Sequence, residues 1–321
     1  MPTSVTVTPA ELQSSAQKFR QELLLATTFG LDQIRKHMSL RKGIQYREMV
    51  GTFEYTGEPV PYNTTAVNGG NASIEGRWLE VHVAQIWEKF NPMDLIKTVY
   101  AGPGANSEAL KKAPVSQALL TAMASAAANK IFTHLWNASY DSSKKATINT
   151  FNGFDTITAN EITAGKISVA KKNLIEVDAI DDTNVIDVLQ SIYFAADEHL
   201  QEKKTKMFIS RNIYNAYVRA LKLEGSGIAY YQNYEQVFLE GSNNLCELVP
   251  MSNKKDSIYI HLTTQKNMLI GVNQTEPDKE PISIKESEHP DVLIYYMKYF
   301  FGCQFETLRP EDILVAKIKT T

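Results

Sequence analysis

The chain has 321 residues, a formal net charge of −3, and a globular balance of 43% hydrophobic to 21% charged residues. That balance excludes an intrinsically disordered chain and is enough for a real core, in one large domain or two modest ones. The mild acidity gives no case for tight nucleic-acid binding, which needs clustered Lys and Arg to displace counterions from phosphates, and no apolar run approaches the ~18 residues of a membrane-spanning helix.

The N-terminus "MPTSVTVTPAELQ" has no basic-then-apolar leader pattern. Cys246 and Cys303 could form at most one bridge and fit a reducing compartment. The sequons at Asn63, Asn71, Asn137 and Asn273 then read as chance in a chain rich in Asn and Thr, and a soluble protein made in the cytosol is expected.

Residues 9–36 read as a helix, with Pro9 suited to a first turn and Leu12, Ala16, Phe19, Leu23 and Leu24 forming a stripe. The basic run "IRKHMSLRK", from Ile34 to Lys42, follows, and this segment could dock on another surface as easily as join a core.

From 43 to 90 the pattern turns strand-like. Ile44, Tyr46, Phe53 and Tyr55 precede the polar stretch "PYNTTAVNGGNASIEGR", and "RWLEVHVAQIW" returns from it. Strict alternation would put Leu79, Val81 and Val83 on one face, with Trp78, Glu80 and His82 on the other. The tip, with Gly69-Gly70 between Asn68 and Asn71, has almost nothing to bury. A long hairpin alone in water is marginal, so support from outside this chain's own core is expected.

After "AGPGANSEALKKAP" comes the clearest helix, from Pro114 to about Ala138, with Leu120, Met123, Ala127, Ile131 and Leu135 at helical spacing. The small side chains of "TAMASAAANK" predict a long spine helix lying closely against a sheet. A second helix is predicted over Asp181–Lys204, with acidic residues at its start, lysines at its end, and a buried stripe of Val185, Leu189, Ile192, Ala196 and Leu200. "KMFIS" reads as a strand, and Ser210 can cap the helix "RNIYNAYVRAL", with Ile213, Tyr217 and Leu221 on one face. Strands are expected at 245–250, 257–262, 268–272, 282–285, 293–301 and 313–318, mostly in antiparallel pairings.

Catalytic signatures do not emerge. There is no phosphate-binding Gly-Lys-Ser/Thr loop; "GPGANS" at Gly102 reads as a turn, and "EGSGIA" has the wrong spacing for a nucleophile elbow. The histidines at 37, 82, 134, 199, 261 and 289 show no pair at metal-ligand spacing. "DAIDD" suits a helix N-terminus. "YYQNYEQVF", without a basic residue, reads as a packing or interface loop rather than a base-stacking platform. No cofactor, metal or catalytic residue is expected.

The order of elements is an N-terminal arm, a two-stranded excursion, an Ala-rich spine helix, a mixed α/β unit and long late strands. It resembles the major capsid protein of tailed double-stranded-DNA phages, an α+β fold of the Hong Kong type. Short passages carry the resemblance: "INTFNGFDTIT" after the spine helix, Ser210, Tyr214 and Tyr217 in a Ser-x-x-x-Tyr-x-x-Tyr pattern, "KNMLIGVN", and the closing "TLRPEDILVAKI". Together they cover most of residues 40–321.

The resemblance implies an arm (1–42), an extended loop (43–90), a peripheral domain (91–147 and 281–306) and an axial domain (148–280 and 307–321). It implies a structural, non-enzymatic protein of the virion, made in the bacterial host cytoplasm. Hexamers and pentamers would build an icosahedral shell around double-stranded DNA held without sequence-specific contact, which the mild acidity suits. Intersubunit contacts would fall at Asn68, Gly69, Gly70, Asn71, Arg77 and Trp78 of the loop, Phe19 and Arg35 of the arm, and Tyr230 and Tyr231 of an axial loop. The implied partners are further copies of the chain, a portal protein and a separate scaffolding protein, with no membrane. No lysine occurs from Gly43 to Glu88, which predicts a shell without loop-lysine cross-links. The competing readings are an encapsulin-like host compartment and a hydrolase with a dispersed site.

Overall fold

The computed structural model describes residues 36–55, 72–90, 115–224, 237–273, 282–286 and 293–319. The expected arm helix, the loop tip, the "GPGANS" turn and the "YYQNYEQ" loop lie outside these residues.

In chain order the strands are β1 (Ser39–Lys42), β2 (Arg47–Tyr55), β3 (Ala72–Glu80), β4 (His82–Phe90), β5 (Leu174–Val177), β6 (Thr205–Ser210), β7 (Cys246–Met251), β8 (Tyr259–Thr263), β9 (Met268–Val272), β10 (Ile282–Glu286), β11 (Leu293–Phe305) and β12 (Ile313–Ile318). The helices are α1 (Val115–His134), α2 (Phe154–Thr163), α3 (Val185–Phe194), α4 (Glu198–Gln201) and α5 (Arg211–Glu224). No helix among the described residues is long and apolar enough to cross a membrane.

Three sheets organise them. One has the order β5–β12–β8–β6–β7. Its strands are nearly continuous apolar runs because both faces are covered. Met207, Ile209, Leu262, Leu314 and Ala316 face α3 and α5, meeting Leu189, Ile192 and Tyr217. The alternate residues Phe208, Ile313 and Val315 face the other way, onto Leu135, Trp136 and Phe154. Each such Leu or Ile contributes about 1.5–3 kcal/mol relative to exposure. A second sheet runs β1–β9–β11–β10, with β4 also laddered to β11. The third is the β2–β3 hairpin alone. Late pairings are mostly antiparallel as expected, except that β5, β6 and β1 add to β12, β7 and β9 in parallel.

The spine helix begins at Val115, within one residue of its expected start at Pro114, which lies outside the described residues; Ile131 in its last turns and Leu135 just past its end enter the core. It stops at His134, earlier than expected, and the chain doubles back through Asn152-Gly153-Phe154. At that turn the amides at the start of α2 meet carbonyls of the residues just after the spine: Gly153 N–H donates to Ala138 O (2.8 Å), Phe154 N–H to Leu135 O (3.2 Å) and Asp155 N–H to Trp136 O (3.0 Å). A helix start leaves such amides unsatisfied, and here the turn that follows the spine satisfies them. The approach is so close that a Cβ on Gly153 would lie 2.3 Å from Trp136 O.

Three expectations change. Asp181–Lys204 is two helices: the chain leaves α3 at Ala195, and Asp197 caps α4 by accepting from His199 N–H. All five predicted stripe residues are nonetheless buried. Ser39–Lys42, read as part of the arm, is an edge strand paired with β9. The return strand is also two strands. Leu79 and Val81 are buried as predicted, but beyond Val81 the phase inverts, so Val83 is 56% exposed and Ala84 is buried. The cause is a change of partner from β2 to β11.

Candidate assembly interface

The partner switch at Val81 is the root of the excursion. Val81 N–H donates to Tyr46 O (2.9 Å), closing the base of the β2–β3 pair. The root lies on two glycines, Gly302 and Gly271, which face each other on β11 and β9. A Cβ on Gly302 would sit 2.0 Å from Glu80 O, and one on Gly271 would sit 2.8 Å from Val81 Cγ1. Around that shelf Ile44, Val50, Leu79, Val81 and Leu269 form a small core of their own, with Phe300 against it.

The other face of the hairpin is apolar and uncovered. Met49 and Trp78 are cross-strand partners, 58% and 46% exposed. The Arg47 guanidinium lies over the Trp78 ring at 4.4 Å, and the Tyr46 hydroxyl is tied to Glu80, which raises its pKa. On β4, Val83 and Trp87 continue the exposed series. Among the described residues, five of the ten exposed large apolar side chains fall between Tyr46 and Trp87. That concentration marks this segment as the candidate contact surface, because scattered single residues would need no partner. Phe194, Val237 and Phe238 are also exposed, with Phe194 beside Gly241.

The expected contact residues separate accordingly. Trp78 stands on the open face. Arg77, expected to reach a neighbour, is instead 7% exposed and bound within its own chain, because its acceptors on α2 and β11 come together only in the fold. Asn68, Gly69, Gly70, Asn71, Phe19, Arg35, Tyr230 and Tyr231 lie outside the described residues.

Sequence reading missed a buried polar centre. Lys254 is 1% exposed, and its ammonium donates to Asp155 Oδ1 (2.9 Å), Ser257 Oγ (2.9 Å) and His261 Nδ1 (3.3 Å), with the Trp136 ring centroid 3.7 Å away. His261 is fully buried, and its Nε2 meets Thr158 Oγ1 at 2.9 Å. The Thr158 hydroxyl already donates to Phe154 O. His261 therefore carries its proton on Nε2 and accepts at Nδ1, which gives the ammonium three acceptors for three donors. Burial lowers the pKa of both Lys254 and His261; Asp155 opposes the shift at the lysine, and the Lys254 charge deepens it at the histidine. The centre joins the end of α1, α2, the turn after β7, and β8. In the sequence, "SNKKDS" carries no periodicity or motif that signals this burial. Among the described residues no three metal-ligating side chains gather.

No protein-family model matches the chain, and no curated protein does. Solved structures do. A chain of the satellite phage P4 procapsid that includes the size determination (Sid) protein is similar over 92% of this chain and 99% of its own, with a TM-score of 0.58 at 10% identity. The capsid of cyanophage A-1(L) gives 0.52 at 16% identity, over 91% of this chain and 92% of its own. The capsid of the native GTA particle gives 0.52 at 12% identity, over 90% of each. At these identities the likeness establishes the fold, and the fold is the Hong Kong-type capsid fold that the sequence resembles.

Proposed function

We propose that this chain is the major capsid protein of a tailed phage or prophage, acting by self-association rather than catalysis. Hexamers and pentamers close an icosahedral shell around double-stranded DNA, with a portal protein and a separate scaffolding protein as partners. The observation that carries the reading is coverage: this chain and the P4 procapsid chain overlie each other over 92% and 99% of their lengths, so little of either is left to serve another purpose. The open face of Met49, Trp78, Val83 and Trp87 supports it, since a second copy is the simplest cover for a repeated apolar strip. In this reading α1 and the sheet around β11 form the peripheral domain, and the five-stranded sheet with α3 and α5 forms the axial domain. The excursion is the clasp between neighbours.

Negative-stain electron microscopy of the protein, expressed alone and with its genomic neighbours, tests the proposal. Closed shells of uniform diameter are expected. A stable monomer at high concentration and beside its scaffold would overturn it.

A further inference from the structure

Arg77 lies on the hairpin in sequence and in the body of the subunit in space. Its Nε donates to Phe305 O (3.1 Å), and its Nη2 reaches both Glu161 Oε1 (2.6 Å) and Gln304 Oε1 (2.8 Å). Gln304 returns the contact, its Nε2 donating to Trp78 O (3.0 Å). One guanidinium thus ties β3 to α2 and β11 at three points, which its rigid fork of donors allows and a lysine would not. The clamp sits just before Val81, where the chain crosses the Gly271–Gly302 shelf. The carboxylate depends on it: Glu161 Oε2 is buried without a hydrogen bond, with Lys166 Nζ 3.8 Å away.

Beyond the root the two strands form a lever. Nine residues of β2 span about 30 Å, so a tilt of roughly 10° at the root carries the far end by about 5 Å, more than a hydrogen bond tolerates. We infer that Arg77 is a positioning residue that fixes the angle at which the excursion leaves the subunit, and through it the curvature at which subunits close. The second half of this inference rests on the reading of the excursion as a clasp.

Both native cysteines are buried. Ser73→Cys on β3 and Lys171→Cys on the body can therefore be spin-labelled selectively, and the distance between them measured in the free subunit by pulsed electron paramagnetic resonance. A single narrow distribution is expected with Arg77 present. Arg77→Lys and Arg77→Met should broaden it at least twofold, with Glu161→Gln intermediate, while the same variants without labels give shells of mixed diameter or open sheets. If the methionine variant does not fold, the lysine and Glu161→Gln variants decide. Distributions equally narrow in every variant overturn the inference. Broadened distributions beside shells of unchanged diameter retain the root clamp and overturn its link to curvature. Broadened distributions with no shells from any version, wild type included, support the clamp and defeat the clasp reading instead.

Discussion

The five-stranded sheet covers both of its faces from within one chain, with α3 and α5 on one side and the end of the spine helix with α2 on the other. The β2–β3 pair covers only one, around Val50, Leu79 and Val81, and presents Met49 and Trp78 to the outside. The contrast separates two kinds of stability in one polypeptide. Changes in the first region should act on the subunit, and changes in the second on its association.

The strongest challenge to that division is removal of the excursion's outer part. Replacing residues 56–71 by a short Gly-Ser turn should abolish closed shells while the melting temperature of the free subunit stays within a few degrees. Calorimetry beside electron microscopy reads both, and a subunit that unfolds on this change would place the loop in the core.

Next comes Lys254→Met. It leaves Asp155, whose side chain is 13% exposed, without its cation and should cost the subunit about 3 kcal/mol in denaturant unfolding. Adding Asp155→Leu should restore part of that loss, because the orphaned charge goes with it. A loss below ~1 kcal/mol would mean the Lys254–Asp155 pair contributes little to folding.

Smaller in free energy, but confined to association, is Trp78→Ser. The threshold concentration for assembly should rise by ~10-fold or more, equivalent to about 1.4 kcal/mol, with subunit stability unchanged within ~0.5 kcal/mol. Equal thresholds for both proteins would remove Trp78 from the interface.

The least effect concerns His37. Its Nδ1 accepts from Lys206 Nζ (3.1 Å), and Glu247 Oε1 lies at 3.4 Å. Burial, then the Lys206 charge, holds its pKa down to about 4, against a weaker upward pull from Glu247 and with a small further lowering by Lys36. The unfolded chain, near 6.5, takes up a proton that the native state refuses, so stability is lost as pH falls from about 6.5 towards 4. His37→Gln should flatten that stretch of the pH–stability curve by on the order of 1 kcal/mol, discounted for partial solvent screening. Parallel curves for the two proteins would show that His37 does not titrate with folding.

Much of this molecule was legible in its residues. Pro114 announced the spine helix, Ser210 capped α5 by accepting from Ile213 N–H (3.3 Å), and the late strands stood within a few residues of their expected places. These features depend on short-range periodicity and capping. What escaped depended on contacts distant in sequence. Strict alternation put Val83 with Val81, and only the crossing over Gly302 explains why the phase turns there. Arg77 beside Trp78 looked like a surface pair because its acceptors, Glu161, Gln304 and Phe305, are more than eighty residues away. Lys254 escaped notice because a lysine with three internal acceptors has no local signature.

The junction between the spine helix and α2 has a mechanical meaning. In the proposed shell, load along the spine would pass into the five-stranded sheet through this junction. The connection through Gly153 is made largely by main-chain atoms, three amides against three carbonyls. Such a splice asks little of the side chains around it beyond the absence of one at Gly153, so the sequence on either side can drift far while the path of force stays the same.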